Sequence, residues 1–325
     1  MDNVIEKNSR IYVAGHTGLV GAALLRGLQK SGYVNLITKT HSELDLTDQT
    51  SVRSFFKKEK PEFVFLAAAK VGGILANSTR PAEFIYDNIA IQTNVIHECK
   101  ENSVKRLLFL GSSCIYPRDC DQPIKEEYLL TGPLEITNRP YAIAKIAGIE
   151  MCWAYNRQYG TRFLAAMPTN LYGPDDNFNL ETSHVVPALI RKMHEAKSNR
   201  SSKVVVWGTG QPRREFLYSD DMADACIFLM GLDDNQFDNF FKDSLPPLIN
   251  IGYGMDLSIA ELAKLVADVI GFDGEIQFDT TKPDGTPRKL LDNSHLNSMH
   301  WLPKTDLKEG LSKAYASFRK QLKMT

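Results

Sequence analysis

Cysteine is scarce in these 325 residues and never grouped: Cys99, Cys114, Cys120, Cys152 and Cys226 form no CxxC pair. An odd, dispersed set argues for reduced thiols and a cytoplasmic setting, and against structural zinc; no metal is expected. No apolar run approaches the roughly 20 residues of a membrane span. An excess of one charge is missing too. Thirty-eight Lys and Arg stand against 39 Asp and Glu, a formal net charge of −1. That gives no reason to expect a nucleic-acid or membrane partner. The opening "MDNVIEKNSR" is polar and lacks the apolar core of a secretory signal. Internal repeats and low-complexity linkers are absent as well. The remaining composition, 43% hydrophobic and 24% charged, is ordinary for a soluble protein long enough for one large domain or two smaller ones.

Periodicity predicts an alternation. "RIYVAG" (10–15) reads as a strand, and "HTGLVGAALLRGLQKSG" as a helix closed by Gly32. "VNLIT" (34–38) and "EFVFLAAAK" (62–70) are further strands, with the polar helix "SVRSFFKKEK" between them. A long helix opens at Pro81, which suits a first helical turn. "RLLFLG", the helix around "YAIAKIAGIEMCWAYNRQYG" and "RFLAAMPTNLYGP" continue the pattern. Fully apolar strands alternating with helices predict a doubly wound parallel sheet of Rossmann type, covered on both faces. Later come a helix at "HVVPALIRKMHEA", a strand at "KVVVWG" and a helix at "SIAELAKLVADVIG" with a capping box from Ser258 to Glu261. Residues 235–247, "NQFDNFFKDSLPP", are expected to form a long surface loop. The expected division is a dinucleotide-binding domain at 1–175, rejoined near 212–252, and a smaller α/β substrate region at 176–211 and 253–325.

Three local patterns carry chemistry. "GHTGLVG" sets Gly15, Gly18 and Gly21 between a strand and a helix, where backbone can approach a pyrophosphate and the helix N-terminus can face it. A glycine-rich turn without a ligand is the bland alternative. At the end of the second strand, where an acid would hold a ribose hydroxyl, the sequence has Lys39 and His41 before Glu43. Positive charge there suits a 2′-phosphate, so NADP is favoured over NAD. "YAIAK" puts Tyr141 and Lys145 on one helix face at i and i+4, where an ammonium can tune a phenol.

Together these motifs resemble the extended short-chain dehydrogenase/reductases that act on nucleotide sugars. The chain is more narrowly similar to the GDP-L-fucose synthase family. "LAAAKVGGI", "FLGSSCIYP", "PYAIAKIAG", "MPTNLYGP", "HVVPALIRK", "VVVWG", "RREFL" and "KPDGTPRKLLD" carry the likeness from about residue 10 to 320. The resemblance implies a catalytic triad of Ser112, Tyr141 and Lys145, and an epimerisation pair of Cys114 and His184. It implies NADP held by Gly15, His16, Thr17, Gly18, Leu19, Val20 and Gly21, with Lys39, His41 and Asp45 beyond. Leu110, Gly111, Ser112 and Ser113, then Pro168, Thr169, Asn170 and Leu171, with Lys145 and His184, would line the rest of the cofactor. Lys192, Trp207, Arg214, Asp284 and Lys289 match positions that hold the GDP-sugar. The chain departs from the family pattern at Thr17, His41 and Lys192, where arginine is frequent.

The implied reaction is 3,5-epimerisation and then NADPH-dependent 4-reduction of a GDP-4-keto-6-deoxy sugar. A C4 ketone acidifies the hydrogens on C3 and C5 and is itself reducible, so one group serves both steps. A UDP-hexose 4-epimerase would share Ser112, Tyr141 and Lys145 but has no use for Cys114 and His184. A non-catalytic dinucleotide-binding regulator would not need Tyr141 with Lys145. Bland roles exist for single residues: Cys114 as a small buried hydrophobe, His184 as a helix cap, Trp207 as core, Arg213 and Arg214 as a solvated pair. The long helices near 81–102 and 141–159 resemble those that pair in this superfamily, so a homodimer is expected.

Overall fold

Ile11–Ala14 (β1) is buried at all four positions, as a strand covered on both faces must be. In the computed structural model, which describes residues 4–242, 245–282 and 284–324, β1 leads into a helix at Leu19–Lys30 (α1). Leu36–Ile37 (β2) and Gln49–Glu59 (α2) follow, the helix capped by Asp48, which accepts from Thr50 N. Then come Phe63–Leu66 (β3), a short helix at Ile74–Thr79 (α3) and Pro81–Glu101 (α4). Arg106–Leu110 (β4), Arg139–Tyr159 (α5) and Phe163–Pro168 (β5) complete this run. The chain continues through Asn170–Tyr172 (β6), Val185–Ser198 (α6), Lys203–Trp207 (β7) and Arg213–Tyr218 (β8). Ser219–Gly231 (α7), Asp234–Asp238 (α8), Leu248–Ile251 (β9) and Asp256–Ser258 (β10) come next. The last elements are Ile259–Ile270 (α9), Glu275–Asp279 (β11), Arg288–Lys289 (β12), Ser294–Ser298 (α10) and Leu307–Met324 (α11).

Six strands form one sheet in the order β2-β1-β3-β4-β5-β9, parallel throughout. The chain goes to one side of β1 for β2 and to the other for β3. The crevice above the β1/β3 junction is therefore the topological switch point, where open α/β sheets bind ligands. Strand alternation divides the side chains between two cores. Ile11, Val13, Phe63, Phe65 and Leu108 face α1 and α7. Tyr12, Ala14, Val64, Leu66 and Phe109 face α2, α4 and α5. This is the doubly wound Rossmann architecture that the alternation predicts. No helix among the described residues is long and apolar enough to cross a membrane.

A third core gathers α6, α9 and α11 around β7 and β8. There β8 pairs with β10, β12 and β6, while β7 pairs with β11. The predicted capping box of α9 is present, Ser258 and Glu261 satisfying each other's backbone.

Two expectations need correction. The second strand is shorter than "VNLIT", because it is the sheet edge and Val34 points into solvent. The stretch 235–247 is not simply a surface loop. It begins within α8 and a 3-10 turn at Asn239–Phe241, with Phe237 and Phe240 buried; residues 243 and 244 lie outside the described residues. The cause sits in β4. Arg106 is only 1% exposed, donates to Met230 O at 3.0 Å and Leu232 O at 2.6 Å, and pairs with Asp234 at 2.6 Å. Its guanidinium covers the Phe237 ring at 4.0 Å. A buried guanidinium needs partners, and these contacts anchor the chain entering α8 and seat Phe237, although Nε is left without a partner.

Candidate active site

The turn after β1 is shaped by close contact. Gly15 has φ +84°, and a Cβ there would stand 2.6 Å from Ala68 N, so the ends of β1 and β3 close on each other at the switch point. A Cβ on Gly21 would overlap Gly15 O, so only glycine lets α1 seat on the turn. Gly18 differs, because a Cβ there would meet nothing nearer than 3.6 Å. It is the N-cap of α1, without a side-chain cap and without an acid in the first turn. A helix N-terminus left open in this way suits a pyrophosphate. Beside it, His16 has a buried Nδ1 without a partner. Thr17 completes the turn, and Leu19 and Val20 open α1. An orphaned donor and an uncapped helix end both fit a dinucleotide.

The cations beyond β2 are less free than the sequence implies. Lys39 Nζ lies 3.8 Å from Glu43, and His41 Nδ1 lies 3.9 Å from Asp45. Glu43 also accepts from Thr40 N and Thr40 Oγ1, which hold it below the ordinary carboxylate range, with Lys39 assisting. Asp45 accepts from Thr47 N and Oγ1 at 2.9 and 2.7 Å, and is held down in the same way.

At the end of β4, Leu110, Gly111, Ser112 and Ser113 lead into a 3-10 turn at Ser113–Ile115. Ser112 caps that turn, its hydroxyl accepting from Cys114 N at 3.4 Å. The thiol and the serine are thus fixed to one another by one turn of backbone. Cys114 is 7% exposed. Burial raises its pKa, opposed by Lys289, then the Ser112 hydroxyl, then Lys145.

Tyr141 and Lys145 stand in the first turns of α5, which starts with Pro140 in place. The Lys145 ammonium donates to Leu110 O at 2.7 Å and lies 5.8 Å from the Tyr141 ring centre. Burial pushes this lysine down to about 8, partly offset by Cys114. Burial raises Tyr141, Cys114 adds to the rise, and Ser112 opposes it. The i, i+4 spacing implies an ammonium that tunes the phenol. Here the ammonium donates to a carbonyl, and burial favours the protonated form of the phenol.

At the end of β5, Pro168 is followed by side chains that are already engaged. Thr169 Oγ1 and Asn170 Nδ2 donate to Glu215 O at 3.2 and 2.9 Å, tying the strand end to β8. Leu171 continues into β6. His184 is the N-cap of α6 but makes no side-chain cap, so it is not a capping histidine. The residue as a whole is exposed, yet the protein packed around its imidazole desolvates it enough to push its pKa below the usual value. The preceding loop is braced by Gly73, whose N–H donates to Thr182 O at 3.2 Å and where a Cβ would stand 2.9 Å from Ser183 O.

Of the proposed sugar-nucleotide residues, Trp207, Arg214 and Lys289 lie on the smaller sheets, Lys192 in α6 and Asp284 between β11 and β12. Trp207, at the end of β7, is 58% exposed and hence not core. Lys192 and Lys282 stand 5.6 and 5.5 Å from its ring centre. Asp284 accepts from Thr209 N at 2.9 Å and Thr209 Oγ1 at 2.6 Å. The two arginines of "RREFL" part company. Arg213 pairs with Asp256 at 2.9 Å, whereas Arg214 is partly buried and paired in register with Lys289.

Residues 11–243 match the NAD dependent epimerase/dehydratase family. A GDP-L-fucose synthase of Arabidopsis thaliana is 56% identical over 322 residues, 99% of this chain and 97% of that protein. The chain belongs to this family, in its GDP-L-fucose synthase group. Another member, the GDP-L-fucose synthase of Escherichia coli K12, is 51% identical over 95% of this chain and 96% of its own. A solved GDP-L-fucose synthetase of Naegleria fowleri bound to NADP superposes with a TM-score of 0.87 at 28% identity, covering 100% of this chain and 98% of that one. Sequence reasoning missed Lys282, Gly73 and the Lys289–Cys114 proximity. Lys282 and Lys289 stand in "KPDGTPRKLLD", but only the fold shows what they face.

Proposed function

We propose that this protein converts GDP-4-keto-6-deoxy-D-mannose to GDP-L-fucose, inverting C3 and C5 and then reducing C4 with NADPH. The observation that carries the reading is the Cys114 turn capped by Ser112, which sets a thiol beside a reductase serine. Relatives of both plant and bacterial origin bear the corresponding name.

Ser112 and Tyr141 hold the C4 oxygen. Cys114 takes a proton from the carbon next to the ketone, and the electron pair moves into an enolate that Ser112 stabilises. His184, on the other side of the sugar, returns a proton to the opposite face. Tyr141 then protonates the C4 oxygen as reduction occurs, and Lys145 holds the cofactor ribose near Leu110. Bound NADPH supplies the hydride. Residues 15–21 would hold its pyrophosphate, Lys39 and His41 its 2′-phosphate, and Asp45 would lie near its adenine. The GDP part rests on Trp207, Lys192, Arg214 and Asp284.

We take residues 1–175 with 212–252 as the dinucleotide half, and 176–211 with 253–325 as the sugar-nucleotide half. A homodimer through α4 and α5 is favoured by the exposed Tyr86, Ile89 and Ile143 on those helices. The cytoplasm, where thiols stay reduced, suits a working Cys114. The test is turnover of GDP-4-keto-6-deoxy-D-mannose with NADPH. Formation of GDP-L-fucose is expected; a product keeping the D configuration, or no oxidation of NADPH, refutes the reading.

A further inference from the structure

The short strand β12 is firmly placed. Arg288 and Lys289 pair in parallel with Arg213 and Arg214 of β8. Successive strand residues leave opposite faces. On one face Arg213 and Arg288 both close on the Asp256 carboxylate. The opposite face therefore carries Lys289 and Arg214 side by side. The chain beyond is laced to the segment that follows the Cys114 turn. Leu290 N donates to Gln122 Oε1 and Ile124 N donates to Leu290 O, both at 2.8 Å. Leu291 N donates to the buried Glu215 carboxylate at 3.1 Å. Between these segments lies a small cavity whose wall includes Cys114, Lys289, Arg118, Gln122 and Glu135.

Two ammoniums act on Cys114, from Lys289 and Lys145. Lys145 is committed to Leu110 O. Among the described residues, Lys289 forms no ion pair within 4 Å, and Arg118 engages Glu135, the carboxylate on the same wall, at 3.3 Å. We propose that the Lys289 ammonium is the counter-ion of the Cys114 thiolate and thereby positions the epimerisation base; this rests on the role given to Cys114 above. In that step a C–H bond at C3 or C5 breaks and its proton forms an S–H bond on Cys114. The electron pair passes to the C4 ketone as an enolate oxygen.

A thiol in an apolar pocket resists ionisation unless positive charge stands near. Lys289 is the largest influence that lowers Cys114 against its burial. Tyr141 is the other titratable group on the α5 side. Burial lowers the Lys289 pKa; Cys114 opposes this, Arg214 adds to it, and Cys120 and Glu135 oppose it. Lys289 is thus a positioning residue for the base rather than solely a contact to the sugar nucleotide.

The test is the pH dependence of Cys114 alkylation by iodoacetamide, in a Cys120→Ser background so that the partly exposed thiol does not contribute. The S–C bond forms on thiolate as iodide leaves, so the rate follows the thiolate fraction and needs no substrate. Lys289→Met should raise the midpoint by about one pH unit and slow alkylation about tenfold at pH 7. Lys289→Arg should restore it. Solvent deuterium exchange into the sugar should fall by the same factor in Lys289→Met and recover as pH rises. An unmoved midpoint with a raised KM makes Lys289 a substrate contact only and overturns the proposal. Lys289→Gln gives the same reading should the methionine variant lack a native circular dichroism spectrum. Exchange at wild-type rate in Cys114→Ser would instead overturn the base role, and the alkylation midpoint judges the counter-ion separately.

Discussion

Replacing Cys114 by serine separates the two reactions of the site. The swap keeps the shape of a side chain that is 7% exposed and leaves Ser112, Tyr141 and Lys145 untouched. Its structural cost is that of burying one hydroxyl, about 1–3 kcal/mol from mutational data. A domain of ordinary stability, about 5–15 kcal/mol, tolerates that. Its chemical cost is larger. An alcohol is a far weaker base than a thiolate, and loss of a positioned base typically costs about 10²–10⁴-fold, or about 3–5 kcal/mol of barrier. Exchange of the C3 and C5 hydrogens in D₂O should therefore fall by that factor. Reduction at C4 needs only Tyr141, Ser112 and the cofactor, so the variant should release a 6-deoxy-D-hexose in place of the L-sugar. Mass spectrometry of the product, with its stereochemistry, reads both effects. Deuterium incorporation and L-sugar formation at wild-type rate would reduce Cys114 to packing.

Tyr141→Phe should lower reduction about 10²–10⁴-fold while NADPH still binds, as followed by cofactor fluorescence and stopped-flow oxidation; reduction at the wild-type rate would remove Tyr141 from its role. Reduction should be level below pH 8 and decline above it, because Lys145 is pushed down to about 8 and loses its charge as pH rises through that value; a profile level to pH 10 would deny the lysine its part. NADPH should be preferred to NADH only modestly, since Lys39 and His41 share their charge with Glu43 and Asp45. Glu43→Gln should widen that preference in kcat/KM, and a narrower preference would place the 2′-phosphate elsewhere.

The fold was legible because its signals are local. Apolar strands alternate with amphipathic helices, and glycines stand where backbone meets backbone. The dinucleotide turn could be read for the same reason: Gly15 and Gly21 are demanded by steric contact within one strand–turn–helix unit. The segment 235–247 was misread because its organiser, Arg106, lies 124–128 residues away from its hydrogen-bond partners. In sequence, that arginine is just the polar start of a strand. The pairing of Lys39 with Glu43 shows the opposite failure: both residues are adjacent in "TKTHSE", yet only geometry shows the acid drawing on the base. Arg213 and Arg214 look alike in sequence, and strand alternation separates them: one closes on Asp256, the other stands in register with Lys289.

The two chemistries draw on different parts of the molecule. Ser112, Cys114, Tyr141 and Lys145 all come from the end of β4 and the start of α5, and the 3-10 turn fixes thiol to serine at one hydrogen bond. His184 comes from the loop entering α6, and Lys289 from β12. Gly73 braces the loop before the first, and Gln122, Ile124 and Glu215 lace down the chain after the second. On the proposed mechanism, reduction would then draw on the large sheet's own residues once the ketone is held. Inversion would add a proton donor and a counter-ion from elsewhere in the fold. Burial raises both Tyr141 and Cys114, but only the thiol has Lys289 acting against that rise. On the proposed mechanism this difference is what would let Cys114 serve as the epimerisation base while Tyr141 serves as the proton donor.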